Sequence, residues 1–350
     1  MAKYIRRNKP DVIQLRSSVT SIGLNRFSQF NEGLDVVTNH TDHHSFSHVI
    51  CTIPLPVLRV IDLSNAKLTT MQSNALRMLN YMQAVKVGLQ FKTAWWTTGT
   101  DKAGKLLNIV GGQTYTDRPL RTVVYPSYGE VDAGKTTTLI ASYCHADDGQ
   151  RLSALINNDT ERLSKIVLKE LADIHNMELD FLQSELINTF GWSWSDDLHT
   201  MGNTFFLFIF VLRVIDSLIK GAFAVFGPGK FKNVYTSMNT SAADGLLHFA
   251  GEALSARHAW VEGALDSAWR AVNEMLWLLP DRHRYLFDFY RMWGYSPEWV
   301  LAQPRKSVPE SSKTPWGIQI PFPPDGEVIP DAKDNLILQQ LGRTHPEYFQ

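Results

Sequence analysis

Two stretches of this sequence combine residue types that could do chemistry. In HFAGEALSARHAWVEGALDSAWRAV, residues 248–272, a short apolar run breaks at Gly251-Glu252 and resumes as a helix opened by Ala259, Trp260 and Val261. Unpartnered N–H groups and the helix dipole favour negative charge at such an entrance. The small residues Ala259, Gly263 and Ala264 leave room for a large planar ring to approach. The plain alternative is a packed core helix, with Val261, Leu265, Ala268, Val272 and Met275 as its apolar stripe. In AVKVGLQF, residues 84–91, strand alternation puts Val85, Val87 and Leu89 on one face and Lys86 on the other. A lysine there ordinarily snorkels outward. Tyr143, in LIASYC, reads by itself as a strand tyrosine with a satisfied hydroxyl.

The elements that would carry these residues are legible in the pattern. VIQLRSSVTSIGL, GLDVVTNH and SHVICTIPL have the β-branched content of strands, with a turn at Asn31-Glu32-Gly33. TTMQSNALRMLNYM reads as a helix through Leu76, Met78, Leu79 and Met82. TTLIASYC is a further strand. DTERLSKIVLKELADIH is a helix capped by Asp159 or Thr160, with Leu163, Ile166, Leu168 and Leu171 inward. GLLHFAG is the strand that feeds the helix at Trp260. From Pro280 onward, proline and aromatic residues point to an irregular tail.

Composition narrows the function classes. With 44% hydrophobic and 20% charged residues over 350 positions, the chain can bury one large or two moderate cores. A net charge of −1 leaves no electrostatic footprint for nucleic acid or an anionic membrane. Cys51 and Cys144 form neither a disulfide framework nor a metal-type spacing, so both read as buried small hydrophobes and no metal is expected. MAKYIRRNKPDVIQ carries charge without an apolar stretch behind it, so no signal peptide is read and the compartment stays open. The run FFLFIFVL, residues 205–212, is too short to span a bilayer. These features together point to a soluble chain.

HVICTIPLPVLR, VKVGLQFKTAWW followed by GGQTYTDRPLRTVVYPS, and FAGEALSARHAWVEGA are, in that order, similar to the C-terminal half of the flavin amine oxidase family, on its L-amino-acid oxidase branch. The resemblance runs with gaps over residues 12–278. It implies that Gly251 and Glu252 contact the ribityl and phosphate region of FAD. It also implies that backbone N–H groups near Trp260 and Val261 face the flavin pyrimidine edge, with Ala259 beside them. Lys86 corresponds to a lysine bridged through water to the flavin, where a cation helps dioxygen accept electrons. Tyr143 corresponds to the tyrosine that holds the substrate carboxylate. Trp260 forms one wall of the aromatic cage. Ala222 stands where monoamine oxidases carry the second wall, which favours amino acids over simple amines. Val19 matches the residue whose backbone meets the adenine. The family's covalent-link cysteine is missing near Gly221, which implies non-covalent FAD.

The pattern also departs from the family. No G-x-G-x-x-G fingerprint occurs, so the expected fold is α/β (α+β mixed): an incomplete FAD-binding Rossmann-like domain with a mixed-sheet and helix substrate domain. The expected division is 1–60 and 231–280 for the partial FAD-binding domain, 61–230 for the substrate domain, and 281–350 for the tail. Residues 203–220, NTFFLFIFVLRVIDSLIK, match no family element and are read as a translated intron, with an apolar helix as the alternative. The function implied is oxidative deamination of an L-amino acid by dioxygen, or the C-terminal portion of such an oxidase. An amine or polyamine oxidase is the second reading, and a non-catalytic subunit or remnant is the third. The missing fingerprint implies that this chain alone does not retain FAD. Expected partners are the amino acid or amine, dioxygen, and an N-terminal half or a second copy.

Overall fold

The computed structural model describes residues 2–9, 11–25, 33–127, 137–196 and 221–294. The insert at 203–220 and the segment beyond 294 therefore lie outside the described residues, as do Asn31 and Glu32 of the expected turn. The chain divides into two compact units, one of Met1–Met78 with Phe226–Gln350 and the other of Leu79–Val225.

The first unit begins with α1 (Ala2–Asn8) and an antiparallel meander of β1 (Val19–Leu24), β2 (Leu34–Thr38) and β3 (Asp42–Phe46). Ile22 lies opposite Val36, and both are buried, so one face of the meander forms core. β4 (Val49–Cys51) leads through α2 (Leu55–Leu58) to α3 (Thr70–Met78). Thr69 and Gln72 cap α3 reciprocally: the Gln72 N–H donates to Thr69 Oγ1 at 3.1 Å, and the Thr69 N–H donates to Gln72 Oε1 at 2.9 Å. α3 stops at Met78, because the next residues pair as a strand, so Leu79 and Met82 are not on its face.

The second unit holds β5 (Asn80–Met82), β6 (Ala84–Phe91), α4 (Trp95–Thr98), β7 (Gln113–Tyr115), β8 (Thr122–Val124) and β9 (Thr138–His145). After these come α5 (Ala146–Asn158), α6 (Thr160–His175), α7 (Leu179–Glu185), β10 (Leu186–Ser193) and β11 (Phe223–Val225). Its sheet has the order β10-β6-β9-β8-β7, and β11 pairs with β5. Val85, Val87 and Leu89 are fully buried in a core shared with Trp95, Trp96, Leu163, Val167 and Leu171, as the alternation of β6 predicts. In α6 the cap is Asp159, whose carboxylate accepts from the Arg162 N–H at 2.9 Å. The buried positions are Leu163, Val167, Leu168, Leu171, Ala172 and His175. Val167, four residues from Leu163 and from Leu171, takes the buried place expected for Ile166. The β6–β9 ladder slips at Val87/Gly88: Gly88 faces Ile140 and Val87 faces Ser142, so Ala141 is an extra residue, a bulge.

The chain then returns to the first unit through α8 (Phe231–Met238), β12 (Leu247–Phe249), α9 (Val261–Leu278) and α10 (Arg282–Trp293). β12 pairs with β4 in parallel, with Phe249 opposite Cys51. α10 occupies the start of the stretch read as irregular tail, and Leu286 and Phe289 bury one side of it. The fold is mixed α/β. Among the described residues no helix is long and apolar enough to cross a membrane.

Candidate functional site

In the first unit, the loop between β12 and α9 is tied together by its own side chains. Gly251 has a φ of 138°, which a side chain would strain, and its N–H donates to Ser267 Oγ at 3.1 Å. Glu252 Oε1 accepts from the Ala259 N–H at 2.8 Å, across a left-handed Ala259 with φ 65°. Ser255 Oγ donates to the Glu252 carbonyl at 2.8 Å and accepts from the Arg257 N–H at 3.2 Å. Arg257 bridges Glu262 at 2.8 Å and Asp266 at 2.7 Å. His258 stacks on Phe226 at 4.8 Å and meets Phe231 and Tyr235. Burial in that aromatic nest pushes its pKa down to about 4.

These contacts correct two expectations about α9. A Cβ at Gly263 would come 2.3 Å from the Arg257 carbonyl oxygen and 2.4 Å from Ser255 Oγ, so this glycine makes room for its own loop. The face of α9 that packs inward carries Gly263, Ser267, Arg270 and Ala271, whereas Val261 and Leu265 are 77% and 56% exposed. The polar face is buried because it has polar partners. Arg270 donates to the carbonyls of Phe249 and Asn239 and pairs with Glu274 at 2.7 Å, and Glu274 contacts His248 Nδ1 at 3.3 Å.

What remains outward at the head of α9 is Trp260, 69% exposed, followed by Val261. Trp260 occupies the N-cap position in extended conformation and no side chain caps the helix. The entrance therefore keeps donor capacity beside an exposed indole, which suits an anionic planar edge. Val19, half-buried, opens β1 opposite Thr38.

In the second unit, three strands place side chains in a row. Trp192 of β10 faces Lys86 of β6, and Lys86 faces Tyr143 of β9. The Lys86 ammonium lies 4.6 Å from the Tyr143 ring centroid and 5.4 Å from that of Trp194, so the cation rests on aromatic faces. Tyr143 meets His145 at 4.5 Å, and His145 meets Phe223 at 5.5 Å. Burial pushes the Tyr143 phenol up, while burial and the charge of Lys86 push His145 down. The Ala222 N–H, next to Phe223, donates to the Met82 carbonyl at 2.7 Å. Lys86 and Tyr143 are thus direct neighbours, with Ala222 linked to them through Phe223 and His145.

Sequence reading missed His145, Trp194 and Phe223. The first had a signal, since a strand residue two places from Tyr143 shares its face. Among the described residues no group of three His, Cys, Asp or Glu side chains could hold a metal.

The family of flavin containing amine oxidoreductases matches residues 1–276. An L-amino-acid oxidase 4 of Hebeloma cylindrosporum is 44% identical over 303 residues, covering 85% of this chain and 45% of that protein. A putative bifunctional amine oxidase of Dictyostelium discoideum is 36% identical over 238 residues, 67% of this chain and 20% of its own length. The chain thus spans less than half the length of these two relatives. A putrescine oxidase with putrescine bound shares the fold, with a TM-score of 0.55 at 16% identity, covering 79% of this chain and 51% of that one.

Proposed function

The chain belongs to the family of flavin containing amine oxidoreductases, and on that premise we propose that it oxidatively deaminates an L-amino acid or forms the C-terminal portion of a protein that does. The balance is one amino acid, dioxygen and water giving a 2-oxo acid, ammonia and hydrogen peroxide. When bound, the flavin would supply the two-electron redox chemistry that links the substrate Cα–H to dioxygen.

The chain's own residues bind and orient. In the second unit, the Tyr143 hydroxyl donates to the substrate α-carboxylate. Ala222, being small, leaves space for the carboxylate and side chain. The Lys86 ammonium favours the negative charge that dioxygen acquires as it is reduced. In the first unit, the Val261 N–H would receive the anionic edge of the flavin, joined by that of Trp260, which now donates to the Arg257 carbonyl at 3.4 Å, and the exposed Trp260 indole would flank that edge. Ala259, Gly251 and Glu252 would hold the ribityl side and the Val19 backbone the adenine. Glu252 does this while its Oε1 is engaged by Ala259, so it acts first by holding the loop open.

The observation that carries the reading is the cross-strand pairing of Lys86 with Tyr143, which puts a cation and a phenol side by side on one face of the sheet. FAD is held non-covalently and weakly, because the chain carries no G-x-G-x-x-G turn to cradle the pyrophosphate.

The test is peroxide production from matched pairs of amino acids and the amines lacking their carboxylates. It is run with added FAD on this chain alone and on the chain co-expressed with the N-terminal half of the Hebeloma relative. Amino-acid-dependent peroxide supports the reading. Peroxide from amines only shifts it to an amine oxidase, and no peroxide in either preparation refutes oxidase activity. Stoichiometric FAD in the purified chain would overturn the expected weak retention.

A further inference from the structure

His145 has no part in the reading above, yet it lies against Tyr143, one of the two residues that carry it. It closes β9 two positions after Tyr143, on the same face, with ring centroids 4.5 Å apart, and its other neighbour is Phe223 at 5.5 Å. Its Nδ1 is buried without a hydrogen-bond partner. A buried N–H left unpaired is costly, and His145 is the N-cap residue of α5, whose positive end favours a lone pair nearby. Nδ1 therefore carries the lone pair. Burial, and after it the Lys86 charge, keep the ring neutral, so its single proton is on Nε2.

The face then presents an ammonium, a phenol O–H and an imidazole N–H, flanked by the apolar Phe223 and Ala222. Hydrogen donors of this kind suit an anionic group with two acceptor oxygens and repel an ammonium. We propose that His145 is a substrate-positioning residue that donates from Nε2 to the α-carboxylate, sharing it with Tyr143. This rests on the amino-acid reading of the same site and names a second contact that fixes the carboxylate's orientation.

Histidine ring resonances of the full chain, recorded by long-range proton–nitrogen NMR and assigned with a His145→Phe variant, test it directly. The expected result is an Nε2-protonated ring whose signals move saturably with L-leucine and stay fixed with 3-methylbutylamine, which lacks only the carboxylate. An Nδ1-protonated ring, or signals that L-leucine leaves unmoved, overturns the assignment whatever the peroxide assay gives. If His145 responds while no amino acid gives peroxide in either preparation, the oxidase reading falls and the contact stands. If peroxide forms and His145 is silent, the contact alone falls. In an active preparation His145→Phe should raise KM for L-leucine about tenfold, more than it lowers kcat, and His145→Gln, which keeps an N–H donor, should recover part of the loss.

Discussion

Replacing Gly263 with alanine separates two reasons for a small residue at the head of α9. In a helix interior this change ordinarily stabilises by about 1 kcal/mol, because glycine has the greater backbone entropy to lose. Here the added methyl would lie 2.3 Å from the Arg257 carbonyl oxygen, 2.4 Å from Ser255 Oγ and 3.0 Å from the Arg257 carbonyl carbon. Two of the three are backbone atoms, so no side-chain rotation relieves the clash, and the loop must move by roughly 1 Å to restore contact distances. Such overpacking costs about 1–3 kcal/mol, and the displaced loop also strains the Ser255 bonds to Glu252 and Arg257. The net expectation is a loss of up to about 2 kcal/mol where helix propensity alone gives a gain. Urea unfolding of the chain free of flavin reads this as a lowered midpoint with an unchanged slope. A midpoint equal to or above that of the parent chain would refute the packing argument and return Gly263 to the role of clearance for a cofactor.

Other consequences follow from the same contacts. His258 has a folded pKa of about 4 against 6.5 for an unhindered histidine. The unfolded chain therefore binds its proton first as pH falls, and stability drops between about pH 6.5 and 4 by roughly 3 kcal/mol. Urea midpoints at pH 7 and 4.5 measure that drop, and His258→Phe should flatten its share; an unchanged slope counts against burial as the cause. Arg270→Met keeps the volume but strips the Phe249 and Asn239 carbonyls and Glu274 of their donor, costing about 2–4 kcal/mol by thermal or urea unfolding. Lys86→Met should leave the unfolding midpoint within about 1 kcal/mol, since its contacts are cation–π at a half-exposed site. In a flavin-loaded active preparation it should slow peroxide formation by about 100-fold; equal activity removes Lys86 from the oxygen reaction.

The parts of the fold visible in the sequence are those set by local spacing. Alternation in residues 84–91 places Val85, Val87 and Leu89 in the core, and Asp159 caps α6 through a bond three residues away. The α9 stripe misleads because periodicity reports which residues share a face and not which face is buried. Arg270 and Ser267 turn inward for partners at Phe249, Asn239 and Gly251, which are far away in sequence. α10 was hidden by the proline-rich composition that follows it. The Thr69/Gln72 box was a local signal for the start of α3 and went unread. Lys86 and Tyr143 gained meaning only by likeness, since neither type nor spacing tells a reactive strand residue from an ordinary one. Their adjacency is a matter of strand register, which the sequence does not state.

The bulge at Ala141 bears on how insertions and deletions in this strand should be interpreted. Ile140 opposite Gly88 and Ser142 opposite Val87 already form a continuous ladder, so β9 holds one residue more than its pairing uses. A chain lacking Ala141 would keep Tyr143 opposite Lys86, and both faces would stay in phase. A one-residue gap between Ile140 and Ser142 in two relatives is therefore no sign of a rearranged centre. The same gap placed between Tyr143 and His145 would turn the histidine toward the helices and leave the tyrosine where it is.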